Sequence, residues 1–329
     1  MKKLLSLILV ILLCFSLTAC FGKDKQTTSD YTVDVSSESF SEATSSNITP
    51  ILYKITDSKG NYLYLFGSIH IGEDSMYPLP DYVMDAFYES DSLGVEVNVP
   101  KYEKDTSFSV KMYMEYLYAD GSKLTDHISS DLYDEITKIF KQNGYGYLTS
   151  SLLRYQPALW EQFISQFYYE NNGIDMMSGV DRHLISIAEK NDVTIHDVED
   201  PLEHLCMPAK FSEELQLYLL RAAVDNYNSE DKEDIESINR LLSLWCQGDE
   251  KELIDMLFEE EIEPGEEEIA EEYNNAMMTV RNEIMSDFIE DALERGEKVF
   301  VTVGTAHIVG EESVTEILRN KGYKIERVK

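Results

Sequence analysis

Two of the 6 histidines in this 329-residue chain occupy the same local setting at opposite ends of the sequence. "FGSIHIGED" (66–74) carries Gly67-x-x-His70, and "VGTAHIVGEE" (303–312) carries Gly304-x-x-His307. Each follows an apolar run that reads as a strand. Each glycine stands where the chain must turn sharply off the strand and a Cβ would obstruct it. With 16 glycines and 6 histidines, chance supplies roughly 0.3 such matches, so one copy says little. Two copies that share Ser/Thr, Ile and Gly-Glu neighbours say much more. Two further apolar runs end in carboxylates, "SLGVE" at Glu96 and "VTIHDVE" at Glu199. Two imidazoles and a carboxylate are the ligand count of a catalytic transition metal, with one position left for water. His70, His307 and Glu96 fit that count. Glu199 is then a fourth ligand, a hydrogen-bonding partner for an imidazole, or a general base. No His-x-x-x-His helix is present, so the site is not of the zincin type. The competing reading is a pair of buried structural histidines that cap turns.

Arg281 is a second oddity. In "NNAMMTVRNEIMSDFIEDAL" the apolar stripe reads as Met277, Ile284, Phe288 and Ala292, and Arg281 falls on it. A core-facing arginine needs a carboxylate or a ligand as partner. The choice is between snorkelling at the edge of the stripe and a clamp on a substrate carboxylate or oxyanion. His127, His183, His196 and His204 lack the glycine-turn context and read as helix-surface or strand residues.

The positioning elements follow from the pattern. "ILYKITDSKGNYLYLFGS" (51–68) reads as a hairpin, with two alternating aromatic-rich strands around Asp-Ser-Lys-Gly-Asn. Short buried strands are expected at 92–98 and 192–199. The chain closes with strand "KVFVTVG", helix "EESVTEILRNKG" and strand "YKIERVK". Helical patterns fill most of the interval between. The expected class is α/β (α+β): a central mixed sheet built from the strand-rich ends, with a large helical insertion over about 106–294. If the strands run parallel, their carboxyl ends open at one edge, where ligand crevices form.

The N-terminal region reads separately. "MKKLLSLILVILLCFSLTAC" has lysines, an apolar stretch and Leu17-Thr18-Ala19-Cys20, which resembles a bacterial lipobox. The resemblance implies a signal peptide over 1–19, cleavage before Cys20 and lipidation of its thiol. Residues 20–49 would then be a Ser/Thr/acid-rich tether without core-forming pattern, and residues 50–329 the folded domain. The expected location is the extracytoplasmic face of a bacterial membrane. A net charge of −34 argues against nucleic acid as partner. Cys206 and Cys246 remain after processing and read equally well as a disulfide or as two free thiols.

Taken together, "YLFGSIHIG", "GVEVN", "GVDRHL", "VEDPLEHL", "RNEIMSDFIEDAL" and "VFVTVGTAHIVGEESVTEILRNKGYKIERV" resemble the TraB/PrgY/GumN family, related to the Tiki membrane-anchored proteases. The resemblance spans most of 51–329. It implies an active constellation of His70, His307 and Glu96. It also places Arg281 and Asn282 on a family Arg-Asn pair and Glu199 on a weaker family glutamate. Manganese- or cobalt-dependent peptide hydrolysis is implied by the Tiki branch, and peptide-pheromone shutdown by the TraB/PrgY branch. The expectation is a membrane-anchored hydrolase of peptides that uses Mn, Co or Zn. Glu199 would handle protons, and Arg281 and Asn282 would orient substrate or stabilise an oxyanion. The rivals are a lipoprotein that sequesters a peptide without cutting it, and a metal-free esterase-like hydrolase.

Overall fold

A computed structural model describes residues 47–258 and 262–329. The expected signal peptide, the expected lipidation site Cys20 and nearly all of the expected tether lie outside the described residues. No described helix is long and apolar enough to cross a membrane.

Six strands form one mixed sheet: β1 (Leu52–Thr56), β2 (Tyr62–Ser68), β3 (Ser92–Val95), β4 (Thr194–Asp197), β5 (Val299–Gly304) and β6 (Lys324–Arg327), in the order β4-β3-β5-β2-β1-β6. This is the α/β architecture expected. β1 and β2 are the predicted hairpin, pairing Leu52 with Phe66 and Thr56 with Tyr62. At its turn, Asp57 Oδ1 accepts from the amides of Lys59 and Asn61, and Gly60 takes a left-handed φ of 92°. β5, "VFVTVG", is buried at every residue, as a central strand covered on both faces must be. The outer strand β6, "KIER", is charged and largely exposed, which blunts that edge against pairing with another chain.

β2, β5, β3 and β4 run parallel to one another. Their carboxyl ends therefore share one edge, and the segments after them carry His70, His307, Glu96 and Glu199. The β3–β4 pairing continues past the strand ends: the amide of Val198 donates to Val95 O at 2.8 Å, and that of Glu199 to Glu96 O at 3.0 Å. This extension sets the two glutamates side by side.

The helices are α1 (Asp81–Glu89), α2 (Val99–Glu103), α3 (Thr106–Glu115), α4 (Ser130–Gln142), α5 (Pro157–Asn171), α6 (Val180–Lys190), α7 (Pro201–Leu205), α8 (Glu213–Asn228), α9 (Glu233–Gln247), α10 (Glu250–Phe258), α11 (Glu267–Asn274), α12 (Val280–Arg295) and α13 (Val314–Asn320). Two apolar clusters hold them. One joins the sheet to α1, α6 and α9–α13. The other joins α3, α4, α5 and α7 around Trp160, Phe140 and Phe163. α8 bridges them, with Leu215 and Leu219 in the first and Leu220 and Val224 in the second. Cys206 lies in the second cluster and Cys246 against the first, and both are free thiols. The predicted tether ends earlier than expected. Ile48 packs against the first cluster, and the Thr49 amide donates to Cys246 O at 2.7 Å.

The stripe assigned to α12 needs correction. Its buried face is Arg281, Asn282, Met285, Ile289, Ala292 and Leu293, whereas Ile284 is 41% exposed. The cause lies just upstream, where Asn275–Thr279 forms a π-helical turn. A wider turn shifts the phase of everything before it relative to everything after it. A uniform 3.6-residue count from Met277 therefore drifts off the true face. Arg281 is on the buried face in either count.

Candidate metal centre

The two Gly-x-x-His turns are neighbours because β2 and β5 are neighbours, with Gly67 opposite Val303 and Ser68 opposite Gly304. The turns pack directly on each other. A Cβ on Gly67 would come within 2.6 Å of Ile308 Cδ1 and 2.7 Å of Thr305 Oγ1, and Thr305 Oγ1 donates to Ser68 O at 2.9 Å. Gly304 lies between the functional groups. A Cβ there would sit 3.3 Å from Glu96 Oε1, 3.6 Å from His307 Cδ2 and 3.8 Å from His70 Nε2. One point thus lies within 4 Å of all three side chains.

Each imidazole is held through Nδ1. His307 Nδ1 lies 2.6 Å from Asn282 Oδ1. Because Asn282 Nδ2 donates to Glu312 O at 2.9 Å, its oxygen faces the ring, and His307 carries its proton on Nδ1. His70 Nδ1 lies 3.0 Å from Asp181 Oδ1, an acceptor that likewise places the proton on Nδ1. Both rings then turn Nε2 toward Glu96: His307 Nε2 is 3.9 Å from Oε1 and His70 Nε2 is 4.0 Å from Oε2. Asp181 stands at the start of α6, which approaches so closely that a Cβ on Gly179 would lie 2.6 Å from His70 O.

Behind this pair lies a buried charge cluster. Arg281 is 1% exposed. Its Nη2 donates to Glu96 Oε2 at 2.7 Å and to Glu199 Oε2 at 2.8 Å, and its Nε donates to Glu199 Oε1 at 2.9 Å. Glu96 Oε1 also accepts from the Gly304 amide at 2.6 Å. Burial alone would raise the Glu96 carboxyl, but the Arg281 guanidinium outweighs it and holds the group well below the carboxylate range. Glu199 behaves the same way, with Arg281 and His204 overcoming its burial. Burial, assisted by the Arg281 charge, pushes His307 down to about 3. His307 is therefore a neutral imidazole with its Nε2 lone pair available.

His204 belongs to this cluster, and its reading as a surface residue is corrected. Asp200 caps α7 by accepting from the Leu202 and Glu203 amides, which brings His204 back over Glu199 with Nδ1 3.0 Å from Oε2. Atoms of Glu96, Glu199 and His204 lie within 4.8 Å of one another, a buried group that could hold a metal ion. A cavity of about 10 Å³, room for a water-sized group, is lined by His70, Glu96, Asp181, His204, Ser68 and Thr302. Ser68 Oγ and Thr302 Oγ1 are buried without a hydrogen-bond partner among the described residues.

The predicted site residues thus fall together, each with a definite contact. Gly67 is required by close packing, and Gly304 leaves a tight fit for any Cβ beside Glu96. Asn282 orients His307. Glu199 partners an imidazole, that of His204, and the Arg281 guanidinium. Arg281 directs its donors at the two glutamates, not at open solvent. Asp181 and His204 were missed. Each lies in a segment quoted for the resemblance, "GVDRHL" and "VEDPLEHL", but on a helix whose facing is decided by tertiary packing.

Fold and centre together define an α/β protein with a buried His/Glu/Arg cluster at the carboxyl edge of its parallel strands. The TraB/PrgY/gumN family model matches residues 51–327, and the chain belongs to that family. No curated protein and no solved structure matches the chain.

Proposed function

We propose that the protein is a metal-dependent hydrolase of peptides, anchored through a lipid on Cys20 at the outer face of a bacterial membrane. The observation that carries the reading is the shared orientation of His70 and His307. Both give the Nδ1 proton to an acceptor and turn Nε2 toward one ionised carboxylate. Hydrogen bonding of the far nitrogen is the usual arrangement of a metal-ligating histidine. Glu96, Glu199 and Arg281 sum to one negative charge, which suits a divalent cation between His70 and His307. The buried Glu96/Glu199/His204 face is less suitable, because a cation there would meet the Arg281 guanidinium on the same oxygens.

A divalent transition metal held by His70, Glu96 and His307 would polarise a peptide carbonyl and acidify a bound water. Arg281 keeps Glu96 charged inside the protein, where burial would otherwise protonate it. Asp181 and Asn282 hold the two rings in one tautomer. Glu199 is saturated by Arg281 and His204, so it serves as an anchor in place of a free base. His204 is the imidazole placed to accept a proton from a water in the small cavity, with Glu199 stabilising the charge it gains. The proposal predicts that purified protein cuts peptides only with Mn²⁺, Co²⁺ or Zn²⁺ present. Chelation should stop turnover, and added metal should restore it. Metal-loaded protein that retains peptides without cutting them would replace hydrolysis by sequestration. Membrane association that survives Cys20→Ala would sink the lipid anchor.

A further inference from the structure

An apolar cavity opens beside the centre, on the side of His70 and Gly304 that faces α9 and α10. Its walls are Ile71, Ile238, Leu241, Trp245, Leu257 and Ala306. Ser68, Ile69, His70, Gly304 and Thr305 complete the lining and belong to the two Gly-x-x-His turns. Two of the polar groups nearest to it are committed elsewhere. Trp245 Nε1 donates to Gly67 O at 2.9 Å, so the indole offers the cavity only carbon. Thr305 Oγ1 is bonded to Ser68 O. Ser68 Oγ lacks a hydrogen-bond partner among the described residues, but walls otherwise so apolar favour an apolar group over water.

We infer that this cavity receives an aliphatic side chain of the substrate, next to the bond placed at the centre. The inference rests on the hydrolase reading for the identity of the substrate as a peptide, but the pocket's selectivity is separable from turnover. Two observations commit the occupant. The cavity shares His70 and Gly304 with the centre, so a group seated in it belongs to the residue beside the reacting carbonyl. Its volume is about 30 Å³ on the scale where one water needs ~10–15 Å³. That admits two or three heavy atoms, a side chain up to the size of valine, and not a ring. Among the described residues no acidic side chain lines this wall, so charge plays no part in the choice.

The test uses the purified, Mn²⁺-supplemented full chain and a peptide library varied at successive positions. Peptides retained on immobilised protein and peptides cut in solution are both read by mass spectrometry. Wild type should favour alanine and valine over glycine at one position by about 10-fold or more, as expected for added methylenes in an apolar pocket. Leu241→Ala, which opens the wall, should shift the preference toward leucine and phenylalanine. Ile238→Val is a milder enlargement and should move it the same way by less, which keeps the test valid if Leu241→Ala folds poorly. Selective retention without cleavage would uphold the pocket and remove the hydrolase reading. Equal retention of all side chains, a preference unmoved in both variants, or no peptide retained would overturn the inference.

Discussion

Two kinds of buried glutamate occur among the described residues. Glu96 and Glu199, at the sheet edge, are ionised. Glu161, on α5 in the helical cluster, is just as buried, yet burial pushes it up to about 8 and its one side-chain partner is the Ser165 hydroxyl at 2.6 Å. The difference is the guanidinium. Where Arg281 reaches a carboxylate, burial loses; where no cation reaches, burial wins. A protonated carboxyl cannot serve as an anionic metal ligand. Arg281 is thus what makes the sheet-edge glutamates usable, and the substrate clamp read from sequence is unnecessary to account for it.

Removing that cation should have the largest effect. Arg281→Ala leaves two carboxylates buried without compensation, which costs about 3–5 kcal/mol in comparable buried pairs. Chemical denaturation should show that loss, and metal affinity should fall with it. An Arg281→Ala protein of parental stability would break the comparison. Arg281→Lys is the sharper form. Lysine restores one charge but not the fork that spans both glutamates, so it should recover part of the stability. Full recovery would mean that charge alone matters.

Next in size is the replacement of Asp181, the group that orients His70. Asp181→Asn keeps an acceptor but removes its charge. Changes of this kind cost about 10–100-fold in metal affinity. Isothermal titration with Mn²⁺ measures it, and unchanged affinity would separate Asp181 from the centre.

The two classes of glutamate also differ in the sign of their pH dependence. Glu96 and Glu199 have folded values below the unfolded 4.5. Their contribution is complete above 4.5 and is lost as pH falls through the lower folded values. Glu161 has a folded value above 4.5, at about 8. Its contribution is complete below 4.5 and is lost as pH rises toward 8. Glu161→Gln keeps the shape and abolishes that titration. Urea midpoints should therefore show the variant gaining on wild type from pH 5 to pH 8. A constant gap would mean that Glu161 is already charged.

The legible part of the site was what strands and turns impose locally. A glycine and a histidine after an apolar run report a turn at a strand end, and two such ends converge with the two glutamate-bearing ends once the strands are parallel. Arg281 was legible as a charge in an apolar helix, although the π-helical turn at Asn275–Thr279 displaced the stripe around it. Asp181 and His204 were not legible. Their spacing to His70 and Glu199 carries no periodicity, and α6 and α7 face the centre only because Gly179 permits a close approach and Asp200 caps a short helix. The partner of Arg281 was equally hidden, because a lone core arginine does not announce whether its carboxylate is internal or brought by a ligand.

The central claim is that the two Gly-x-x-His turns and Glu96 share one metal. A crystal of the protein soaked in Mn²⁺, measured for anomalous scattering, locates the ion directly. The account predicts a single peak between the Nε2 atoms of His70 and His307 and the Glu96 carboxylate, with Arg281 still bonded to both glutamates. A peak at Glu199 and His204 with Arg281 displaced, or no peak at either face of Glu96, would contradict it.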